Sequence, residues 1–325
     1  MKNVTAVKEP KNAKNAKRSA WSYRLAYNGR MAWRSRYLFL LLLPTLIWLL
    51  VFMYGPMYGL QIAFKDFMPF LGIEGSKWVG FKHFISFFKS EYYVRLIQNT
   101  LGISLYSILV GFPIPIILAL LMNEVGNKYF KKGVQTIAYL PHFISAVVVV
   151  SIINSILSPT SGLLNQLIEA FGGDPVHFMA EPKYFKTIYV ISDIWQSAGY
   201  NSIVYLAALT SIDPSMYEAA TVDGASKWDK LIRITLPSIL PTVMIMLILR
   251  MGSMFSVGYE KIMLMYNEAT YETADVISTS VYRRAFKSGD YSFSTAIGLF
   301  NSVINFVIIQ VFNKISAKVS EVSLW

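Results

Sequence analysis

Six long apolar stretches, separated by polar segments, set the pattern of this chain: roughly residues 37–62, 96–122, 134–157, 185–212, 239–259 and 293–312. A spanning helix needs about 20 mostly apolar residues to cross a hydrocarbon core of about 30 Å, and each stretch is long enough. The pattern therefore predicts an all-α, polytopic membrane helical bundle of about six transmembrane helices. Pro44 falls inside the first stretch, and Pro113 and Pro115 inside the second. Prolines are tolerated in spans because neighbouring groups satisfy the freed backbone atoms, so they mark kinks rather than ends. No internal repeat and no second soluble domain is visible.

Composition supports this reading. Of the 325 residues, 54% are hydrophobic and 15% charged, with a mean hydropathy of +0.43. The formal charge of +11 does not indicate a nucleic-acid partner, because ten of the thirty Lys and Arg precede residue 37, just ahead of the first apolar run. That run is too long for a signal h-region and has no small-residue cleavage site, so it reads as a retained span. The basic leader predicts both termini in the cytoplasm, with membrane lipid as partner. Expected boundaries are 1–36 for a basic cytoplasmic N-terminal segment, 37–315 for the transmembrane domain and 316–325 for a cytoplasmic tail. Zero cysteines exclude thiol chemistry, and His83, His142 and His177 are too scattered for a metal site.

The fourth polar segment interrupts this pattern with "SIDPSMYEAATVDGASKWDKLIRITLPSILPT". Asp213 is a good N-cap, Pro214 suits the first helical position, and Met216, Tyr217 and Ala220 give the following turns an apolar side. Gly224 sits where a positive φ is cheapest. Ser226 and Asp229 form an approximate capping box for a second short helix, which Pro237 is expected to close before the fifth span. The residues predict two amphipathic helices hinged at a glycine on the cytoplasmic surface. They leave open whether this hairpin is passive or docks a partner.

The same segment resembles the EAA loop of binding-protein-dependent ABC importer permeases: E-A-A, three residues, G, nine residues, I-x-L-P. Glu218, Ala219, Ala220, Gly224, Ile234, Leu236 and Pro237 fit at every position. "RYLFLLLLPTLIWLLVFMYGPMYGLQIAFKDF" looks like the opening span of sugar permeases of the maltose-transporter F type. "LRMGSMFSVGYEKIMLMYN", "TADVISTSVYRRAF" and "YSFSTAIGLFNSVINFVIIQVFNKIS" look like the branch that imports complex oligosaccharides, alginate and pectin fragments included. The resemblance implies the ABC type I importer permease fold, with the EAA loop as a coupling helix that inserts into an ATP-hydrolysing subunit. Glu218 would contact that subunit and Gly224 would make the turn. It also implies a second homologous permease, two ATP-binding subunits, an extracytoplasmic solute-binding protein and an oligosaccharide substrate. The chain carries no G-x-x-x-x-G-K-[ST], so no cofactor is expected in it, and ATP and Mg would be bound by the partner subunits.

Polar residues inside spans are expensive and mark a bundle interior or a water-filled path. Asp193, Gln196, Tyr200 and Asn201 recur at helical spacing in the fourth span, beside Ser197. Asn301 and Asn305 share a register in the sixth with Ser294 and Gly298. Arg250, 13 residues after Pro237, lies about 20 Å along a helix rising 1.5 Å per residue and can neutralise Asp193. Trp195, Tyr200 and Tyr205 are candidate platforms for a sugar ring. The competing role for all of these is interhelical packing. The fifth loop, Tyr-rich and of mixed charge, suits a receptor dock or a solvated cap. A membrane-embedded enzyme acting on glycan or lipid would need a convergent catalytic constellation, which is not seen, and the EAA pattern argues against a channel.

Overall fold

Prolines decide where the helices of this chain widen. In the computed structural model, which describes residues 35–320, 323 and 324, three π-helical segments occur, Leu50–Tyr54, Ser107–Gly111 and Leu231–Thr235. Each ends two residues before a proline: Pro56, Pro113 and Pro237. A proline ring strikes the carbonyl four residues back and offers it no N–H, and a local change to the wider i→i+5 turn moves that carbonyl aside. The spans continue through these prolines instead of stopping at them. Pro237, expected to close a short helix, is a case in point: Lys227–Met251 is helical throughout.

The first described helix, α1 (Arg36–Leu49), continues through its π segment and a 3-10 turn (Gly55–Phe64), and none of α1 is buried. Contacts divide the chain into a unit ending at Leu60 and a second running from Gln61. The second opens with a two-stranded antiparallel pair, β1 (Lys65–Asp66) and β2 (Lys77–Trp78), around a short α2 (Gly72–Gly75). Then follow α3 (Lys82–Lys89), α4 (Tyr93–Tyr106), α5 (Pro113–Glu124), α6 (Lys128–Tyr139), α7 (Ala146–Ile156), α8 (Leu163–Ala170) and α9 (Pro182–Thr210). The chain finishes with α10 (Pro214–Val222), α11 (Lys227–Lys230), α12 (Leu236–Met251), α13 (Tyr259–Met265), α14 (Tyr271–Ala274), α15 (Ile277–Phe286) and α16 (Tyr291–Ser320).

Among the described residues, four helices are long and apolar enough to cross a membrane, or five if a bent pair counts as one span. That pair differs from the continuous third span expected over 134–157: Lys128–Phe143 meets α7 at 102°. The fourth expected span is present as the 29-residue α9, but its polar stripe makes it less apolar than the others. The fifth ends as a helix at Met251 rather than at 259. Helix α16 runs to Ser320, past the expected start of the tail. The basic leader lies outside the described residues as far as residue 34.

Helix α9 is the centre of the packing. It lies against α5, where Ala119, Tyr205, Leu209 and Ile239 of α12 form one core. Farther along, its Phe185, Tyr189 and Val190 share a second core with Ile103, Ile262, Met265 and Val276. At Gly199 it approaches α6 so closely that an added Cβ would collide with the Ala138 carbonyl. Small residues bring spanning helices together in this way, because lipid gives apolar side chains no hydrophobic reason to associate.

The fifth loop is not a solvated cap. Ile262, Ala274, Val276, Ile277 and Thr279 are fully buried, and Asp275 is locked at its centre. Arg283 Nη2 lies 2.8 Å from both carboxylate oxygens, Thr279 Oγ1 donates to Oδ1 at 2.7 Å and Arg95 stands 3.7 Å away. Burial opposes the Arg283 charge, but the hydrogen bond and charge of Asp275 outweigh it and hold the guanidinium above its ordinary value. The same loop is tied to α4 by Asn99, whose Nδ2 donates to the carbonyls of Glu272 and Asp275. Removing one partner of such a buried pair costs about 3 kcal/mol or more. Arg283→Met should accordingly lower the thermal midpoint of the detergent-solubilised protein, and adding Asp275→Asn should recover part of the loss.

Candidate functional site

The loop after α9 folds as its sequence predicts up to the hinge. Asp213 caps α10, its Oδ1 accepting the Ser215 N–H at 2.9 Å, with Pro214 at the first position. Gly224 has φ +76°, and the two bonds that end α10 are Ala225 N–H to Ala220 O at 2.9 Å and Gly224 N–H to Thr221 O at 3.1 Å. This is the 6→1 and 5→2 pairing of a Schellman turn. The capping box is complete: Ser226 Oγ accepts the Asp229 N–H at 3.2 Å, and Asp229 Oδ2 accepts the Ser226 N–H at 3.1 Å.

Two contacts latch the hairpin across the glycine. Tyr217 Oη meets Thr235 Oγ1 at 2.9 Å, and Lys230 Nζ donates to Thr221 Oγ1 at 2.8 Å. The latched hairpin presents Val222 at 88% and Trp228 at 67% exposure. Ala219 is exposed beside Glu218, and Glu218 makes no side-chain hydrogen bond or ion pair among the described residues. Ala220 and Ile234 are half-buried and hold the hairpin to its own chain, while Leu236 and Pro237 are exposed at the start of α12. The result is a preformed projection with apolar and acidic groups left unsatisfied, the arrangement expected of a docking element.

The polar span residues divide into three places. Asp193, Asn201 and Arg250 share a cavity of about 330 Å³ with Ser107, Ser197, Tyr205 and Ser253. A second cavity of about 190 Å³ adjoins it, also lined by Asp193 and Arg250, with Ser104, Tyr189 and Ser256. Arg250 Nη2 stands 3.8 Å from Asp193 Oδ2, as their sequence positions suggest. Ser104 and Ser107, absent from the sequence-based candidates, were legible by the same rule, as polar residues three apart in an apolar span.

Gln196 and Asn305 instead hold breaks in the helices. Gln196 Nε2 donates to the Ile144 carbonyl at 2.9 Å, at the bend before α7. Asn305 Oδ1 accepts the Phe255 N–H at 3.0 Å and its Nδ2 donates to Ser256 Oγ at 3.0 Å, in the irregular segment after α12. The remaining candidates lie elsewhere. Trp195 faces an apolar cavity of about 510 Å³ with Ile152, Phe178 and Ile191. Tyr200 stacks on His142, ring centroids 3.9 Å apart and 3° from parallel. Asn301 lines a cavity of about 460 Å³ with Tyr259 and Tyr282, and its Oδ1 is buried without a partner among the described residues.

Removing an N-cap serine costs about 1 kcal/mol of local helix stability. Ser226→Ala should therefore raise amide exchange over residues 227–230 while leaving α10 unchanged, as read by hydrogen–deuterium exchange mass spectrometry.

Comparison with known proteins follows this geometry closely. The family model described as "Binding-protein-dependent transport system inner membrane component" matches residues 111–321, which include the hinged loop, Asp193 and Arg250 but not Ser104 and Ser107 of the cavity lining. The chain is 41% identical over 292 residues to the Bacillus subtilis (strain 168) polygalacturonan/rhamnogalacturonan transport system permease protein YteP, covering 90% of this chain and 91% of the relative. It is also 41% identical over 292 residues to Protein LplB of the same organism, covering 90% and 92%. Among solved structures, a chain of the bacterial alginate ABC transporter, crystallised with its alginate pentasaccharide-bound periplasmic protein, matches with a TM-score of 0.83. That match has 46% identity and covers 91% of this chain and 99% of the other. A chain of the bacterial ABC transporter involved in import of the acidic polysaccharide alginate matches equally, with a TM-score of 0.83 and 47% identity over 90% of this chain and 99% of that one. By the family match and by this degree of identity over nearly the whole length, the chain belongs to the inner membrane components of binding-protein-dependent ABC transport systems.

Proposed function

We propose that this chain is one of two permease subunits of an ATP-driven importer, carrying an oligosaccharide or polysaccharide fragment across the bacterial cytoplasmic membrane. The preformed hinge at Gly224 carries the reading. It leaves Glu218, Val222 and Trp228 exposed on a latched hairpin that continues, without a break, into the helix Lys227–Met251. That continuous helix ends beside the cavity lined by Asp193 and Arg250. A push on the hairpin by an ATPase subunit is therefore transmitted to the cavity through one rigid element, which is the physical content of coupling between two sites.

In this reading both termini are cytoplasmic, 37–315 forms the permease body, and Glu218, Ala219, Ala220, Gly224, Ile234, Leu236 and Pro237 form the ATPase-coupling element. Two ATP-binding subunits hydrolyse ATP, a second homologous permease completes the path, and an extracytoplasmic solute-binding protein delivers the saccharide. Asp193, Asn201, Ser197 and Arg250 contact it in transit. The names of the relatives support a polymer-derived saccharide as cargo.

Gly224→Asp isolates the docking step. Asp tolerates left-handed backbone better than most residues, and a Cβ at this position meets nothing in its own chain within 4 Å, so the variant should insert and fold. After gentle detergent extraction, the wild type should co-purify with an ATPase and a second permease, and the variant should lose the ATPase alone. A wild type that emerges without partners, or a variant that retains the ATPase and full uptake, would sink the assignment. For the path, Asn201→Ala should reduce saccharide uptake several-fold at normal expression, since an unpaired polar contact is worth about 1–3 kcal/mol. Unchanged uptake would return Asn201 to a packing role.

A further inference from the structure

Arg250 is unusual for what it lacks. Its guanidinium carries five donors, and its nearest carboxylate oxygen, Asp193 Oδ2, is 3.8 Å away, beyond hydrogen-bond range. No other side-chain partner is present among the described residues, and nearly half of the side chain, 46%, is accessible. The same chain shows what a closed structural pair looks like: Arg283 lies 2.8 Å from both oxygens of Asp275, with the carboxylate 3% exposed. If the Arg250–Asp193 pair served only to hold helices together, it would be expected to close in the same way, since an intramembrane charge without hydrogen bonds is costly. It stays open and faces a cavity instead.

The charges around that cavity are not balanced. Lys261 is buried, with its Nζ 3.4 Å from Gln196 Oε1 and 5.5 Å from the ring centre of Tyr189, which lines the second lobe. Among the described residues it makes no ion pair within 4.0 Å, and neither does Lys186, whose Nζ lies against Gly102, next to the lobe-lining Ile103. Two further cations thus lie near a space that Arg250 lines and into which Asp193 sends the one carboxylate of the lining. Low-dielectric walls focus such a field. Hydroxyl recognition of a neutral sugar needs only groups like Ser107, Ser197 and Asn201. An open guanidinium fork in a positive field suits a planar anion bound through two parallel hydrogen bonds.

We propose that Arg250 determines specificity for a carboxylated saccharide: a uronate carboxylate of the cargo docks on the open edge of the guanidinium, while Asp193 keeps the arginine positioned from the other side. This rests on the saccharide-importer reading above and names the chemical class of its cargo. In transit the carboxylate would be handed to Arg250 as a partner exchange, with Asp193 free to accept hydroxyl groups of the same ring.

The test uses the complete transporter, purified without the receptor and held with a non-hydrolysable ATP analogue, so that receptor selectivity plays no part. Equilibrium binding of a tri-uronide is compared with that of the same trisaccharide after reduction of its carboxylates to primary alcohols. Wild type should bind the acidic form about tenfold or more tighter than the reduced one, the effect of a charge-assisted pair. Arg250→Gln should bind both forms alike, and Arg250→Lys should retain part of the preference. Receptor-stimulated ATP hydrolysis by each variant reports folding and assembly. An Arg250→Gln complex that keeps the acidic preference, or that loses both ligands equally while ATP hydrolysis is intact, would overturn the role of Arg250. Equal binding of the two forms by wild type removes this inference and leaves the importer reading standing; binding of neither form removes both.

Discussion

In hydrocarbon, every backbone N–H and C=O must find its partner within the protein, and the rest of this structure depends on that constraint. Wherever a spanning helix breaks, a side chain from a distant helix supplies the missing bond. At the bend between α6 and α7, Gln196 donates to the Ile144 carbonyl. In the irregular segment after α12, Asn305 accepts the Phe255 N–H, Ser104 donates to the Met254 carbonyl and Ser278 donates to the Val257 carbonyl at 2.7 Å. Polar residues in the spans are thus of two kinds: those that close the backbone, and those left over to face a cavity.

The two kinds create the site together. Because α12 ends at Met251 and its continuation is held by Asn305, Ser104 and Ser278, the space beside Arg250 is left open. The π segment at Leu231–Thr235 keeps α11 and α12 continuous across Pro237, so the second arm of the hairpin and Arg250 belong to one helix of 25 residues, about 37 Å long at 1.5 Å per residue.

How much of this was legible in the sequence depends on the range of the interaction. The hairpin was readable because its determinants are neighbours: Asp213 caps Ser215, Ser226 pairs with Asp229, and Gly224 takes the left-handed turn between these pairs. The proximity of Asp193 and Arg250 was also readable, since two opposite charges in apolar spans have few alternatives to each other. Helical spacing placed Gln196 and Tyr200 in the same stripe as Asp193, but spacing cannot say which neighbour each one meets. Helix α9 is surrounded on several sides, so one stripe serves the cavity, the bend at Ile144 and the His142 ring at once.

By itself, the sequence determined the membrane class, the approximate spans and the hinged hairpin, because hydrophobic length, capping and turn chemistry act over a few residues. Tertiary structure alone decided that Pro237 lies within a continuous helix, that the third span bends by 102°, that the fifth loop closes over a buried Asp275, and that Arg250 is left unsatisfied. The bend and the anchoring of the fifth loop depend on groups tens to hundreds of positions away in the chain, Gln196 with Ile144 and Asn99 with Asp275. Such pairings are fixed by the packing of helices in three dimensions, and no local pattern encodes them.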